Sequence, residues 1–109
     1  MGTVALRLLA RIDLLPSSEG GRQTALRGPV SYRPNHNFFD ADNREMCIGA
    51  IDLAEGQTLE PGASMDLQLV LMTWPELARD LRVGRRWRLQ EGKHLIGWAT
   101  ILAMPGSED

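Results

Sequence analysis

The sequence predicts an all-β protein, and three observations carry that prediction. Several short segments alternate apolar and polar residues, most clearly around Leu67, Leu69 and Leu71. Glycine and proline separate these segments at short intervals, as turns between strands require. Only Trp74–Leu81 favours a helix. About six short strands with frequent turns are typical of a small β-barrel or sandwich.

Length and composition fit one domain spanning residues 1–109, with a core from about 3 to 104. The net charge of −2 provides no general attraction to nucleic acid or anionic membrane, so such binding would need a local basic patch. Cys47 is the single cysteine, which excludes an intrachain disulfide and fits the cytoplasm. No apolar run reaches the roughly 20 residues that span a bilayer, so no membrane partner is expected.

The first segment, Val4–Leu14, has two interpretations. Alternation of apolar and other residues favours a strand that enters the core. A helix is the alternative, because four apolar residues also form a stripe at helical spacing: Leu6, Leu9, Ala10 and Leu14. Pro16 ends the segment in either case.

The middle of the chain predicts loops and short strands. Residues 17–28 are rich in turn formers and predict a loop, and residues 30–34 predict a short extended piece. A strand is expected over 35–39, followed by an exposed polar turn at Asp40–Glu45. Cys47–Leu53 alternates as a further strand.

A turn, a strand and a short helix follow. Pro61–Gly62 has the proline and glycine order of a type II turn. The next strand places Met65 and the leucines after it inward. The segment Trp74–Leu81 predicts one or two helical turns, with Pro75 at the first helical position.

The last part of the chain predicts a β-hairpin, with arms at 85–90 and 94–104 around the bend Glu91–Lys93. On the incoming arm the period of two places Trp87 and Leu89 inward and places the other side chains outward, namely Arg86, Arg88 and Gln90. The returning arm is apolar on both faces, as a central strand is, and the same period puts Ile96 and Trp98 on one face.

No catalytic residue, metal or cofactor is expected. Two histidines and one cysteine cannot form a zinc site by spacing. Asp40 and Asp42 begin like a calcium loop, but Arg44 follows where an oxygen ligand belongs. Gly92-Lys93-His94 lacks the remaining residues of a phosphate-binding loop, so no nucleotide is expected either.

Two groups of side chains are candidates for binding. Four arginines lie before and within the hairpin: Arg82, Arg85, Arg86 and Arg88. Trp87 lies among them and Lys93 lies at the hairpin tip, so this group is a candidate surface for contacting phosphates and bases. The alternative is the charged outer face of an edge strand, where charge prevents aggregation. The three tryptophans are residue types that usually fill a core or a domain contact.

Four motifs, taken together, give a family resemblance: Glu19-Gly20-Gly21-Arg22-Gln23-Thr24, Tyr32-Arg33-Pro34, Pro61-Gly62, and Gln90-Glu91-Gly92-Lys93 ahead of Gly97. Their order and spacing resemble the C-terminal β-barrel, the third domain, of elongation factor Tu. The resemblance implies a six-stranded, closed, antiparallel Greek-key barrel with no chemistry of its own. It also implies a strand at Val4–Leu14.

The resemblance further implies a binding role. In the family this barrel contacts the GTP-binding domain, the T stem of aminoacyl-tRNA and the nucleotide-exchange factor. The matching residues here, with the two hairpin arginines, are the candidate RNA- or partner-binding set: Arg22, Arg33, Asn35, Arg86, Arg88, Gln90, Glu91, Gly92 and Lys93. The GTPase domain is absent from these 109 residues, and Ala63 and Gln90 replace the family's aspartate and arginine. We therefore expect a non-enzymatic, translation-related, cytoplasmic module that binds a protein, with RNA as the alternative.

Overall fold

A computed structural model describes residues 2–104 of the chain. The strands are β1 (Val4–Leu14), β2 (Leu26–Arg27), β3 (Val30–Tyr32), β4 (Asn35–Asn37), β5 (Cys47–Leu53), β6 (Thr58–Leu59), β7 (Ser64–Thr73), β8 (Arg86–Glu91) and β9 (His94–Ala103). One short helix, α1 (Pro75–Asp80), follows β7, and a single 3₁₀ turn covers Ser17–Glu19. No helix among residues 2–104 has the length and hydropathy to cross a bilayer.

Six strands close into an antiparallel barrel. Their order is β4, β8, β9, β1, β7 and β5, and β5 pairs again with β4 to complete the circle. The extra strand β3 pairs with the same edge of β5 as β4 does, so β3 and β4 follow one another along that edge. This arrangement confirms the predicted all-β fold class and the closed six-stranded barrel.

The barrel interior is filled by the side chains that the alternation places inward. On β1 and β7 the inward leucines and isoleucines are almost completely inaccessible, with Leu8 at 1%, Ile12 at 0% and Leu69 at 0%. Each buried aliphatic side chain of this size stabilises the fold by roughly 2 kcal/mol, because its apolar surface is removed from water. The closed barrel therefore gains its stability from the same period of two that identified its strands.

The first strand and the short helix agree with the sequence predictions. Val4–Leu14 is a strand paired with β7 on one side and β9 on the other, which removes the helical alternative. The helix α1 begins at Pro75, where the fixed φ of proline suits the first turn. Gly62 has a φ of 86°, as the predicted turn at Pro61–Gly62 requires.

One prediction about the hairpin is wrong, because β9 contains a β-bulge. Leu89 pairs with Gly97 and Gln90 pairs with Leu95, so Ile96 is an extra residue opposite β8. Ile96 therefore points into the core with 0% exposure, whereas Trp98 lies half-exposed on the outer surface. The two side chains that a strict period of two places together lie on opposite sides of the sheet.

The polar segment 17–28 is more regular than a loop. It contains the 3₁₀ turn and β2, which pairs with β6 through Leu26 and Leu59 in a separate two-stranded sheet. Both leucines are buried, at 5% and 1% exposure. Isolated apolar residues in a polar segment give no periodicity, which explains why the sequence does not reveal this pair.

Candidate partner-binding surfaces

Three segments that are distant in sequence meet beside the hairpin tip. Arg22, Tyr32 and Glu91 form one polar cluster, in which Tyr32 Oη donates a hydrogen bond to Glu91 Oε2 at 2.5 Å. Arg22 Nη1 forms an ion pair with the same carboxylate oxygen. The Arg22 guanidinium also lies 5.0 Å from the centroid of the Tyr32 ring. Arg22 and Glu91 therefore neutralise each other, which weakens them as contacts for a charged partner.

The surroundings of Tyr32 keep its phenol neutral. Burial, and secondarily the hydrogen bond and negative charge of Glu91, raise the pKa of Tyr32 above its ordinary value of 10.0. A neutral phenol retains the proton that it donates to Glu91. This cluster thus fixes the relative positions of β3 and β8.

The loop 19–24 is fastened to the hairpin at a second point. His94 Nε2 donates to the carbonyl oxygen of Gly20. Within the segment, Ser17 Oγ donates to the carbonyl oxygen of Arg22 at 2.6 Å. The glycine-rich motif that resembles the family is therefore held against β8 and β9 by polar contacts.

Gln90 does not point outward as predicted, because it is buried at 1% exposure. Its Oε1 accepts a hydrogen bond from Asn37 Nδ2 at 2.8 Å, and its Nε2 donates to the carbonyl oxygen of Gly92 at 3.1 Å. Both polar ends of the side chain are thus satisfied inside the protein. In this structure Gln90 supports the bend and presents no group to a partner.

The Asn37 side chain links Gln90 to the loop that covers it. The sequence did not identify Asn37 as a residue of the candidate site. Asn37 donates to the carbonyl oxygen of Asp40 at 2.9 Å, in addition to its bond with Gln90. Its Oδ1 accepts hydrogen bonds from Phe39 N and Asn43 Nδ2, both at 2.9 Å. The preference of asparagine for turns was the available signal, and it is a weak one.

The remaining residues of the predicted set differ in exposure. Gly92 and Lys93 form the exposed hairpin tip, where Gly92 adopts a φ of 63°. Lys93 lines a cleft of about 320 Å³ together with Asp42 and Arg44. Asn35 is half-buried between β5 and β8, and Arg33 is exposed on the other side of β4 from the hairpin, near β5. The predicted set therefore does not form one continuous surface.

Two hairpin arginines of the set do lie together, beside a tryptophan that was expected elsewhere. The Arg86 Cζ lies 4.2 Å from the centroid of the Trp98 ring, and the Arg88 Cζ lies 5.0 Å from it. Both distances are within the range of cation–π attraction. We call Arg86, Arg88 and Trp98 the arginine–tryptophan surface. The bulge at Ile96 places Trp98 there, and the isolated Gly97 within the strand was the available sequence signal for it.

The structure rejects the edge-strand explanation for these arginines. Strand β8 pairs with β4 on one side and β9 on the other, so it has no free edge to protect. Trp87 points inward as predicted, with 1% exposure and its ring stacked 4.7 Å from that of Phe38. Trp74 is half-buried and packs against the core. Of the three tryptophans, Trp98 is thus the one that lies beside the arginines.

A second candidate surface is apolar. Ile48 on β5 and Met72 on β7 are paired residues whose side chains are 67% and 43% exposed. Ala50 and Val70, the next outward pair, line the same shallow cleft together with Arg33. We call Ile48, Ala50, Val70 and Met72 the apolar face. The sequence predicted Arg33 as a binding residue, but it did not predict a binding role for these four residues.

The titratable groups inside the barrel are shielded from solvent. His36 is fully buried, and its Nδ1 accepts a hydrogen bond from Trp87 Nε1 at 2.9 Å. Burial lowers the pKa of His36 to about 4, so the imidazole is neutral at pH 7. Cys47, opposite His36 in the strand register, is 2% exposed, and burial raises the pKa of its thiol. These two side chains therefore belong to the core.

Within residues 2–104 no three His, Cys, Asp or Glu side chains are grouped to hold a metal ion. No protein-family model matches the chain.

Proposed function

We propose that this protein is a non-enzymatic β-barrel module that binds a protein partner through the apolar face. The observation that carries the proposal is the 67% exposure of Ile48 on a regular strand, directly opposite the exposed Met72. Adjacent exposed apolar side chains are more typical of an interaction surface than scattered single ones are. Arg33, from the predicted binding set, lies at the border of this face.

Two further observations support this type of module. The inward position of His36 and Cys47 removes one of the two histidines and the single cysteine from the surface, and the other histidine, His94, is engaged in its hydrogen bond to Gly20. The motifs at Glu19–Thr24, Tyr32–Pro34 and Gln90–Lys93 meet in one cluster beside the hairpin tip. We therefore propose that the chain is a barrel of the elongation factor Tu third-domain type, with a translation-related partner in the cytoplasm.

The test compares affinity capture by three forms of the protein. Wild type, Ile48→Glu and the matched control Val83→Glu are immobilised, and the captured proteins are identified by mass spectrometry. Val83 is also an exposed apolar residue, at 58%, but lies in the turn before β8. We expect one partner to be retained by wild type and Val83→Glu and lost by Ile48→Glu. Equal retention by all three forms would exclude the apolar face as the binding site.

The second candidate function is RNA binding, which the resemblance to a T-stem-binding barrel first suggested. The observation that favours it is the pair Arg86 and Arg88, which have no carboxylate within ion-pair distance among residues 2–104. The full predicted set is a weaker basis, because Gln90 is buried and Arg22 is paired with Glu91. The charge on the arginine pair is the part that remains available to phosphate.

Electrophoretic mobility of labelled tRNA tests this second candidate. At low salt we expect wild type to retard the tRNA, and we expect Lys93→Glu and Arg88→Glu to weaken binding and flatten its salt dependence. An unchanged mobility at low salt would exclude tRNA as the ligand.

A further inference from the structure

We infer that the arginine–tryptophan surface binds single-stranded nucleic acid. The inference rests on the second candidate function, RNA binding. It differs from that candidate in the form of the nucleic acid that is bound and in the surface that binds it. The resemblance points to a double-stranded tRNA stem at the hairpin bend. The structure instead assigns unpaired nucleotides to the outer face of β8 and β9.

The positive charge of the arginine pair is uncompensated. The ion pairs within residues 2–104 are Arg11–Asp66 and Arg22–Glu91, so the guanidinium groups of Arg86 and Arg88 have no acidic partner there. The Arg88 Nε is inaccessible to solvent and has no hydrogen-bond acceptor. That nitrogen does not reach a ligand on the surface, but Arg86 is exposed and Arg88 is half-exposed, so the remaining guanidinium nitrogens can form charge-assisted hydrogen bonds with phosphate oxygens.

An aromatic ring lies at the centre of the pair. Trp98 is half-exposed, and both guanidinium groups lie within 5.0 Å of its ring centroid. Unpaired bases stack on aromatic rings and on guanidinium planes, whereas the bases of a duplex already stack on one another. A ring beside two phosphate-binding groups therefore favours a single strand over a double-stranded stem.

Further positive charge lies at the hairpin tip, beyond the buried Gln90 and the Glu91 that Arg22 neutralises. Arg86 and Arg88 occupy successive outward positions, and Lys93 follows at the tip, where it shares a cleft with Arg44. The strand from Arg86 to the tip extends over a distance of roughly 20 Å. Asp42 on the same cleft repels phosphate and marks the end of this track. Such a length suits a short site, of about four nucleotides, at the lower limit for small barrels.

The neighbouring strands place uncharged residues beside the two arginines and one carboxylate beside Trp98. Thr100 is the register partner of Arg86 on β9, and Asn37 is the partner of Arg88 on β4. Neither carries a charge. Beyond Trp98 the next residue across the sheet is Asp13, whose carboxylate accepts a hydrogen bond from Ser64. The negative charge of Asp13 therefore limits phosphate contacts to the Arg86 and Arg88 side of Trp98.

Fluorescence anisotropy of labelled oligonucleotides tests the inference. The probes are an oligouridine and an oligodeoxyuridine octamer, which differ only in the 2′-hydroxyl, with a blunt-ended RNA duplex for comparison, measured across a salt series. The variants are Trp98→Leu, Trp98→Phe and the double variant Arg86→Gln/Arg88→Gln. Arg27→Gln is the matched control, since Arg27 is an exposed arginine on β2, away from this surface. Circular dichroism and thermal unfolding check that each variant folds.

We expect both octamers to bind more tightly than the duplex. Trp98→Leu should weaken octamer binding roughly tenfold because stacking is removed, and Trp98→Phe should restore most of it. The double arginine variant should weaken binding and lower the salt slope by about 0.7 for each phosphate that is no longer neutralised. Arg27→Gln should bind as wild type does. Tighter binding of one octamer than of the other would show whether the 2′-hydroxyl is recognised within the single strand.

Three results would overturn the inference. Equal or tighter binding of the RNA duplex would leave RNA binding in place but exclude the single strand as the preferred ligand. Octamer binding that is insensitive to all variants would exclude this surface. Loss of a captured protein by the double arginine variant, without any octamer binding, would assign the surface to an acidic protein instead.

Discussion

The side-chain amide of Asn37, on β4, connects this strand to β8 and to the loop Asp40–Glu45, beside the candidate site. Through four hydrogen bonds it holds Gln90 of β8 on one side and the loop Asp40–Glu45 on the other. This loop includes Arg44, which shares the cleft with Lys93. The shape of the surface beside the hairpin tip thus depends on one buried side chain that binds no partner itself.

Replacing this amide should therefore loosen the loop and the bend together. Asn37→Ala leaves the Gln90 oxygen and a backbone amide without partners, and we expect a loss of about 2–3 kcal/mol in the free energy of unfolding. Urea denaturation followed by tryptophan fluorescence measures it. The control is Asn35→Ala, two residues earlier on β4 and half-buried, which should cost less than about 1 kcal/mol. Equal losses in the two variants would contradict the role given to Asn37.

At the scale of elements, the β-bulge in β9 determines which residues reach the surface. The extra residue at Ile96 turns Trp98 outward beside the arginines and lets Gly97 face the interior next to β1. A Cβ atom on Gly97 would lie 2.5 Å from the carbonyl oxygen of Asp13. The close approach of β9 to β1 at this point therefore requires glycine.

Gly97→Ala should accordingly separate β9 from β1 near the bulge. The added methyl group meets backbone atoms, which cannot move aside as a flexible side chain can, so we expect a loss of about 3 kcal/mol in stability. Thermal unfolding by circular dichroism measures the change. Gly2→Ala is the control, since a Cβ at Gly2 has no atom within 4 Å. A Gly97→Ala protein that unfolds at the wild-type temperature would refute this account of the bulge.

At the scale of the whole molecule, closure of the barrel buries a histidine that must stay neutral. The pKa of His36 is lowered to about 4 in the folded protein, whereas an unfolded histidine titrates near pH 6.5. Above pH 6.5 both states are neutral, and His36 adds no pH dependence. Between pH 6.5 and 4 the unfolded state takes up a proton that the folded state does not bind. Stability therefore falls as the pH is lowered through this range.

The expected loss from His36 alone is about 3 kcal/mol between pH 6.5 and pH 4. Urea unfolding at a series of pH values measures it. His36→Gln removes the titrating group and can still accept the hydrogen bond from Trp87, so its stability should vary less over the same range. Parallel pH profiles for wild type and His36→Gln would show that other groups control acid unfolding.

The sequence alone determined the long strands and the all-β class, because alternation is local and each strand must turn one face toward water and the other toward the core, while the closed barrel was predicted from the family resemblance. Val4–Leu14, Cys47–Leu53 and the strand around Leu67 all follow that rule. The candidate set was only partly predictable. Arg86, Arg88 and Lys93 are accessible enough to contact a ligand, whereas Gln90 is buried and Arg22 is neutralised by Glu91.

The tertiary structure alone decided what the surface presents. The bulge that exposes Trp98, the amide that covers Gln90, and the pairing that brings Ile48 beside Met72 all depend on contacts between residues far apart in the chain. Such contacts are fixed by register and hydrogen bonding after the strands have assembled. A period of two predicts how a strand divides into faces, but it does not carry information about where that period is broken.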